Sequence, residues 1–130
     1  MAAPMPERDI LIVDDDQATC LVLAMALQAE GYGCRLAHSV REAVEILKAG
    51  PLPGLILLDL LMPGVSGEML LQHLALEPAW RNIPVIIMSA WGKAPEVARS
   101  AKVEFLAKPF SLEDAESMVC RLTAPLKGQP

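Results

Sequence analysis

Five short apolar runs recur along this chain, and each is followed by a stretch that reads as helix; that alternation narrows the available folds more than any other feature. Residues 10–13 are Ile, Leu, Ile and Val, and the run stops abruptly at Asp14-Asp15-Asp16, as a strand buried on both faces does where its tip meets solvent. A helix-forming stretch over 17–30, with Leu21, Leu23, Met25 and Leu27 among alanines, is stopped by Gly31-Tyr32-Gly33. Residues 34–38 make a weaker strand. Ser39 is placed to cap a helix whose apolar face holds Val40, Val44 and Leu47 and which closes at Gly50-Pro51. The run 55–58 is more apolar still and ends at Asp59, before a Gly- and Pro-rich turn over 62–67. Residues 68–76 are helical in pattern, 84–88 form a fourth strand ending at Ser89, and 94–101 leave room for a clipped fourth helix with Pro95 in its first turn. A fifth strand over 103–107 ends at Lys108-Pro109, and Ser111 caps a last amphipathic helix reaching Leu122, with Glu113 and Asp114 favourable in its first turn.

Parallel neighbours need crossover connections, so five strands alternating with helices imply a doubly wound α/β fold with helices on both faces of a parallel sheet. In such sheets ligands bind outside the carboxyl ends of the strands, near the point where strand order reverses. Asp14, Asp15 and Asp16, then Asp59, Ser89 and Lys108, all fall at those ends. Crowded carboxylates repel one another, and a hard divalent cation with oxygen ligands relieves them. Magnesium is the natural candidate, because it uses few carboxylates and takes phosphate oxygens. With Lys108 nearby it would offset the charge on a transferred phosphoryl group, leaving Asp59, central in the sheet, as nucleophile. Taken singly, an acidic triplet is more often a solvated turn, Ser89 a strand-end hydroxyl and Lys108 a surface lysine, and Asp16 suits a helix cap. The order of the set along the chain favours function.

A length of 130 residues suits one domain, expected over 8–124 between loose tails at 1–7 and 125–130. The chain is 53% hydrophobic and 21% charged, a composition that folds. No apolar run approaches the ~18 residues of a membrane span and no secretory segment opens the chain, so a cytoplasmic protein is expected. A net charge of -5 without a basic stripe argues against nucleic acid as a direct partner. Cys20, Cys34 and Cys120 are too scattered for a disulfide framework or a zinc site and read as small buried thiols. His38 and His73 are expected to stand alone without partners and read as surface or loop residues rather than ligands or bases, and Trp80 as packing.

Val13-Asp14-Asp15-Asp16, Leu58-Asp59-Leu60-Leu61-Met62-Pro63-Gly64, Ser89-Ala90 and Phe105-Leu106-Ala107-Lys108-Pro109-Phe110 resemble the signature of response-regulator receiver domains. The resemblance implies a flavodoxin-like sheet of strand order 2-1-3-4-5. It makes Asp59 the phosphoacceptor, Asp14, Asp15, Asp59 and the backbone carbonyl of Leu61 the ligands of Mg2+ (or Mn2+), and Lys108 the partner of the acceptor and then of the phosphate. Ser89 and Phe105 become the switch pair, and the Lys108–Pro109 peptide is expected to be cis. The implied partners are a histidine kinase or histidine phosphotransfer protein upstream and a downstream protein or fused output domain, read through the fourth helix, fifth strand and fifth helix. A dimer that forms on phosphorylation is within what the resemblance allows.

The chain also departs from that pattern. The segment between Ser89 and Lys108 is short, with Lys102 where small residues are usual, and Leu61 and Trp91 are apolar where polar groups often admit the hydrolytic water, so slow loss of the phosphoryl group is expected. Two other functions compete with the phosphoacceptor. Asp14-x-Asp16 faintly resembles the nucleophile loop of haloacid-dehalogenase-like phosphatases, but Ala18 is wrong for that motif and little chain is left for a cap. A receiver-like scaffold that signals without phosphorylation is disfavoured by the intact set Asp14, Asp15, Asp59, Ser89 and Lys108.

Overall fold

The computed structural model describes residues 9–62, 64 and 66–127. Five strands, β1 (Asp9–Val13), β2 (Gly33–Ala37), β3 (Leu55–Asp59), β4 (Val85–Ser89) and β5 (Glu104–Ala107), alternate with α1 (Gln17–Ala29), α2 (Val40–Ala49), α3 (Gly67–Leu76), α4 (Ala94–Ala101) and α5 (Leu112–Lys127). The sheet is parallel throughout, in the order β2-β1-β3-β4-β5, as the resemblance implies.

Every residue of β3 and β4 is buried, which is why these strands read as unbroken apolar runs. Alternation along each strand splits the core into two layers. On one face Leu11, Val13, Ile56, Leu58 and Ile87 meet α2, α3 and α4; on the other Ile10, Ile12, Leu57, Ile86 and Met88 meet α1 and α5. Trp80 packs in the first layer, as expected. Helices other than α4 start where hydroxyl or carboxylate caps are available: Ser39 Oγ accepts from Glu42 N–H at 3.1 Å, Ser66 Oγ from Glu68 N–H at 3.1 Å and Ser111 Oγ from Asp114 N–H at 3.0 Å.

Several boundaries and side-chain placements differ from the sequence pattern. α5 continues through Lys127, past Leu122 and into the 125–130 segment expected as a tail; Thr123, whose hydroxyl donates to Val119 C=O at 2.9 Å and also meets Tyr32 Oη at 3.1 Å, ties that turn to the second layer. Residues 1–8 and 128–130, which hold the rest of the expected tails, lie outside the described residues. Cys120 is exposed rather than buried, because the neighbouring Val119 takes the inward position on α5. α1 sends Cys20, Leu23, Ala24 and Leu27 inward and leaves Leu21 and Met25, which the pattern grouped with them, exposed.

α4 occupies the eight residues available, without a side-chain cap at its start, and ends on Lys102 in the left-handed region at φ 60°. A side chain there is strained, and glycine is not. Lys102→Gly is therefore expected to stabilise the fold by about 0.5–1 kcal/mol, read as a higher urea midpoint; an unchanged or lower midpoint contradicts it.

Candidate functional site

Four strand ends deliver the polar residues to one place. Asp14 follows β1 and is fully buried, held at its backbone by its N–H donating to Ala37 C=O at 3.0 Å. Its Oδ1 accepts from Asp16 N–H at 3.0 Å and its Oδ2 from Lys108 Nζ at 2.9 Å. Asp59 closes β3, also buried, with Oδ1 accepting from Leu61 N–H at 3.2 Å and Oδ2 lying 3.6 Å from Lys108 Nζ. Asp15 is exposed, yet Asp14, Asp15 and Asp59 each place a carboxylate oxygen within 4.8 Å of the others. Lys108 reaches this point because its backbone N–H donates to Ser89 C=O at 2.9 Å across the β4–β5 tip, and the Lys108–Pro109 peptide is cis.

Two buried carboxylates, Asp14 and Asp59, face one ammonium, and the energetics follow. Burial, then the negative charge of Asp14, pushes the Asp59 carboxyl up to about 6, against the pull of Lys108 and the Leu61 N–H. Burial would lower the Lys108 ammonium, but the hydrogen bond to Asp14 and the charges of Asp59 and Asp14 outweigh it and hold the group above its ordinary value. Asp16 is not among the grouped carboxylates: it caps α1, accepting from Ala18 N–H at 3.1 Å and from the Thr19 hydroxyl at 2.8 Å, and the Thr19 bond holds its carboxyl below the usual value.

Ser89 is buried at the tip of β4, and its Oγ accepts from Trp91 N–H at 3.0 Å. Phe105 is half-buried on β5, opposite Ile87, and packs on the layer of α2, α3 and α4. Leu61 is 53% exposed and Trp91 half-buried, both two residues beyond a strand-end polar group. Thus Asp14, Asp15, Asp59 and Lys108 come together, Ser89 shares their sheet edge, and Phe105 sits one layer to the side.

His38 corrects the sequence expectation that it has no partners. The β1–β2 register pairs Val13 with Ala37, so residue 38 follows beside Asp14, and His38 Nδ1 lies 3.0 Å from Asp14 C=O. Cys20 Sγ donates to the same oxygen at 3.3 Å, and burial pushes its thiol up to about 11. His73 is exposed, as expected.

The family model for the response regulator receiver domain matches residues 10–120. The phosphate regulon transcriptional regulatory protein PhoB of Pseudomonas aeruginosa is 33% identical over 126 residues, covering 95% of this chain and 53% of that protein. The chain therefore spans about half the length of this curated relative. Among solved structures, the signal receiver domain of a signal transduction histidine kinase from Syntrophus aciditrophicus superposes with a TM-score of 0.81 at 33% identity, covering 94% of each chain. The response regulator TrrA of Thermotoga maritima, solved in complex with Mg2+-BeF, gives 0.76 at 27% identity over 88% of this chain and 97% of that one.

Proposed function

This chain belongs to the response regulator receiver domain family, and from that premise we propose that Asp59 accepts a phosphoryl group from a phosphohistidine on a histidine kinase or histidine phosphotransfer protein. The observation that carries the reading is the Lys108 ammonium set between the Asp14 and Asp59 carboxylates at the sheet end, 2.9 Å from one and 3.6 Å from the other. Three carboxylate oxygens within 4.8 Å of one another form the hard-oxygen donor set that a divalent cation takes. Asp14, Asp15, Asp59 and the backbone carbonyl of Leu61 are the proposed ligands of Mg2+, or Mn2+. When bound, the cation supplies neutralisation of the charge on the phosphoryl oxygens.

An Asp59 carboxylate oxygen forms the new O–P bond as the donor's N–P bond breaks, and the electron pair of that bond returns to the imidazole. Lys108 turns from the Asp14 carboxylate toward the incoming phosphoryl. The Ser89 hydroxyl donates to a phosphoryl oxygen while still able to accept from Trp91 N–H. Phe105 follows, and the population shifts between two conformations read by a downstream protein or output domain. The apolar Leu61 and Trp91 side chains beside the acyl phosphate slow the entry of an in-line water. In this scheme the chain is a signalling switch rather than a turnover enzyme. Among the described residues no helix is long and apolar enough to cross a membrane, and the cytoplasm is the proposed compartment.

Beside the site, Ala18, Val22, Pro109, Phe110 and Leu112 help line an open apolar cavity of about 600 Å³ that also touches Lys108. Leu21, Val22 and Met25 stand out from α1 next to it, 50–68% exposed. A patch of this kind marks a protein contact more often than bare surface. The phosphodonor is the partner assigned to it, since the donor has to bring its phosphohistidine over Asp59. Met25→Glu is expected to slow transfer from a phosphohistidine protein by about tenfold while uptake from acetyl phosphate stays unchanged, followed as phosphoprotein against time; equal loss with both donors removes the docking role.

The proposed metal site is tested by calorimetric Mg2+ titration at two pH values. Asp59 must be ionised to serve as a ligand, and its carboxyl titrates at about 6 without metal. Affinity is therefore expected to fall about tenfold between pH 7.5 and pH 5, as protons compete for that oxygen. Binding that is absent, or indifferent to pH, counts against the reading.

A further inference from the structure

The backbone carbonyl of Asp14 receives two side-chain donors that take no part in the phosphoryl chemistry. Cys20 Sγ, fully buried on α1, lies 3.3 Å from it, and His38 Nδ1, in the link between β2 and α2, lies 3.0 Å from it. A carbonyl oxygen only accepts, so the Nδ1 facing it carries a hydrogen. The thiol sulfur and the ring Nδ1 stand 3.9 Å apart and converge on the oxygen from α1 and from the β2–α2 link. His38 is fixed in turn: its backbone N–H donates to Glu42 Oε1 at 2.7 Å, while Glu42 N–H donates to Ser39 Oγ at 3.1 Å at the start of α2. With Asp14 N–H donating to Ala37 C=O at 3.0 Å, both peptide groups flanking the Asp14 Cα are held.

The carbonyl in question belongs to the peptide that joins Asp14 to Asp15, so orienting that plane aims both carboxylates. The geometry points to His38 and Cys20 as positioning residues that hold the Asp14–Asp15 peptide, and through it the two carboxylates, in the arrangement a divalent cation requires. This inference rests on the reading of Asp14 and Asp15 as ligands. Groups that orient metal ligands from behind contribute to affinity nearly as the ligands do, by fixing the donor atoms before the ion arrives. The role belongs mainly to His38, since a thiol is the weaker donor.

The test is the Mg2+ dissociation constant, measured by calorimetry at pH 7.5, beside the metal-free melting temperature of each variant. His38→Ala is expected to weaken Mg2+ by about tenfold and Cys20→Ala by less. Asn places an amide N–H near where Nδ1 stands, and Gln places it near Nε2, so His38→Asn is expected to recover affinity to within about threefold of wild type while His38→Gln stays with Ala. The Asn and Gln pair keeps the test open even if the Ala variant does not fold, and a role confined to stability would lower melting temperatures without separating the two amides. Wild-type affinity in folded His38→Ala, or equal affinities in the Asn and Gln variants, overturns the positioning role alone. Wild-type protein that binds no Mg2+ overturns the ligand reading and this inference with it.

Discussion

Incubated with acetyl phosphate and Mg2+, the wild-type chain is expected to gain the mass of one phosphoryl group, and Asp59→Asn to gain none. Asn matches Asp in shape, so the strand end and the Leu61 N–H contact to Oδ1 can both persist. What disappears is the carboxylate proposed to attack phosphorus, and a neutral amide does not replace it. Unfolding is an unsuitable explanation for the loss, as linkage shows. The Asp59 carboxyl is raised from its ordinary value to about 6 in the metal-free fold, so the folded state holds this proton more tightly than the unfolded chain does. Stability from this group is present at low pH and is lost as pH rises from the ordinary carboxylate value through about 6. Above that window the Asn variant carries no buried charge facing Asp14, and its metal-free melting temperature at pH 7.5 is expected to equal or exceed that of wild type. Intact-mass measurement with and without Mg2+ decides the matter. A gain in the Asn variant moves the acceptor elsewhere, and no gain in folded wild type from acetyl phosphate or phosphohistidine proteins leaves the scaffold reading in its place.

Gly67→Ala is expected to be strongly destabilising. Gly67 opens α3 directly against β3, where an added Cβ would stand 2.4 Å from Asp59 C=O and 2.9 Å from Leu60 Cα. Both obstacles are backbone, so relief requires moving either the helix start or the strand that carries the proposed phosphoacceptor. The Gly67 N–H, which donates to Leu60 C=O at 3.0 Å, would move with it. Overpacking of this kind costs about 2–3 kcal/mol, which for a domain of this size lowers the melting temperature by about 10 °C. Thermal unfolding followed by circular dichroism reads the effect, and a shift of under about 2 °C would show that α3 can back away freely. Because the atoms in the way belong to Asp59 and Leu60, slower phosphoryl uptake is expected alongside the loss of stability wherever the strand end gives way.

Much of this architecture was legible in the residues because β1, β3 and β4 are buried on both faces and so read as runs ending in polar tips. Strand order is different: nothing in the apolar runs themselves dictates 2-1-3-4-5, and it came with the family signature. The sides of α1 were hidden for a related reason. Leu21 and Met25 are as apolar as Leu23 and Leu27, so composition could not sort outward from inward positions. At the site, Asp14, Asp59, Ser89 and Lys108 were readable from their places at strand ends, and Asp16 from its fitness as a cap. The pairing of Lys108 was less so. The resemblance joins it to the acceptor, whereas in the structure it stands nearer Asp14, at 2.9 Å against 3.6 Å from Asp59. His38 and Cys20 were invisible because their meeting depends on the register of β1 against β2 and on how α1 crosses the sheet, which local sequence does not encode.

The two core layers share no side chains: alternate residues of β1, β3 and β4 serve one or the other, and the backbone sheet is the wall between them. α1, with its exposed apolar face, belongs to one layer, and Phe105, α3 and α4 belong to the other. Substitutions confined to opposite layers have no common packing partner and so combine without interference. A change made to the exposed face of α1 therefore leaves the packing around Phe105, α3 and α4 as it stands, so the proposed phosphodonor surface can be redrawn without repacking that layer.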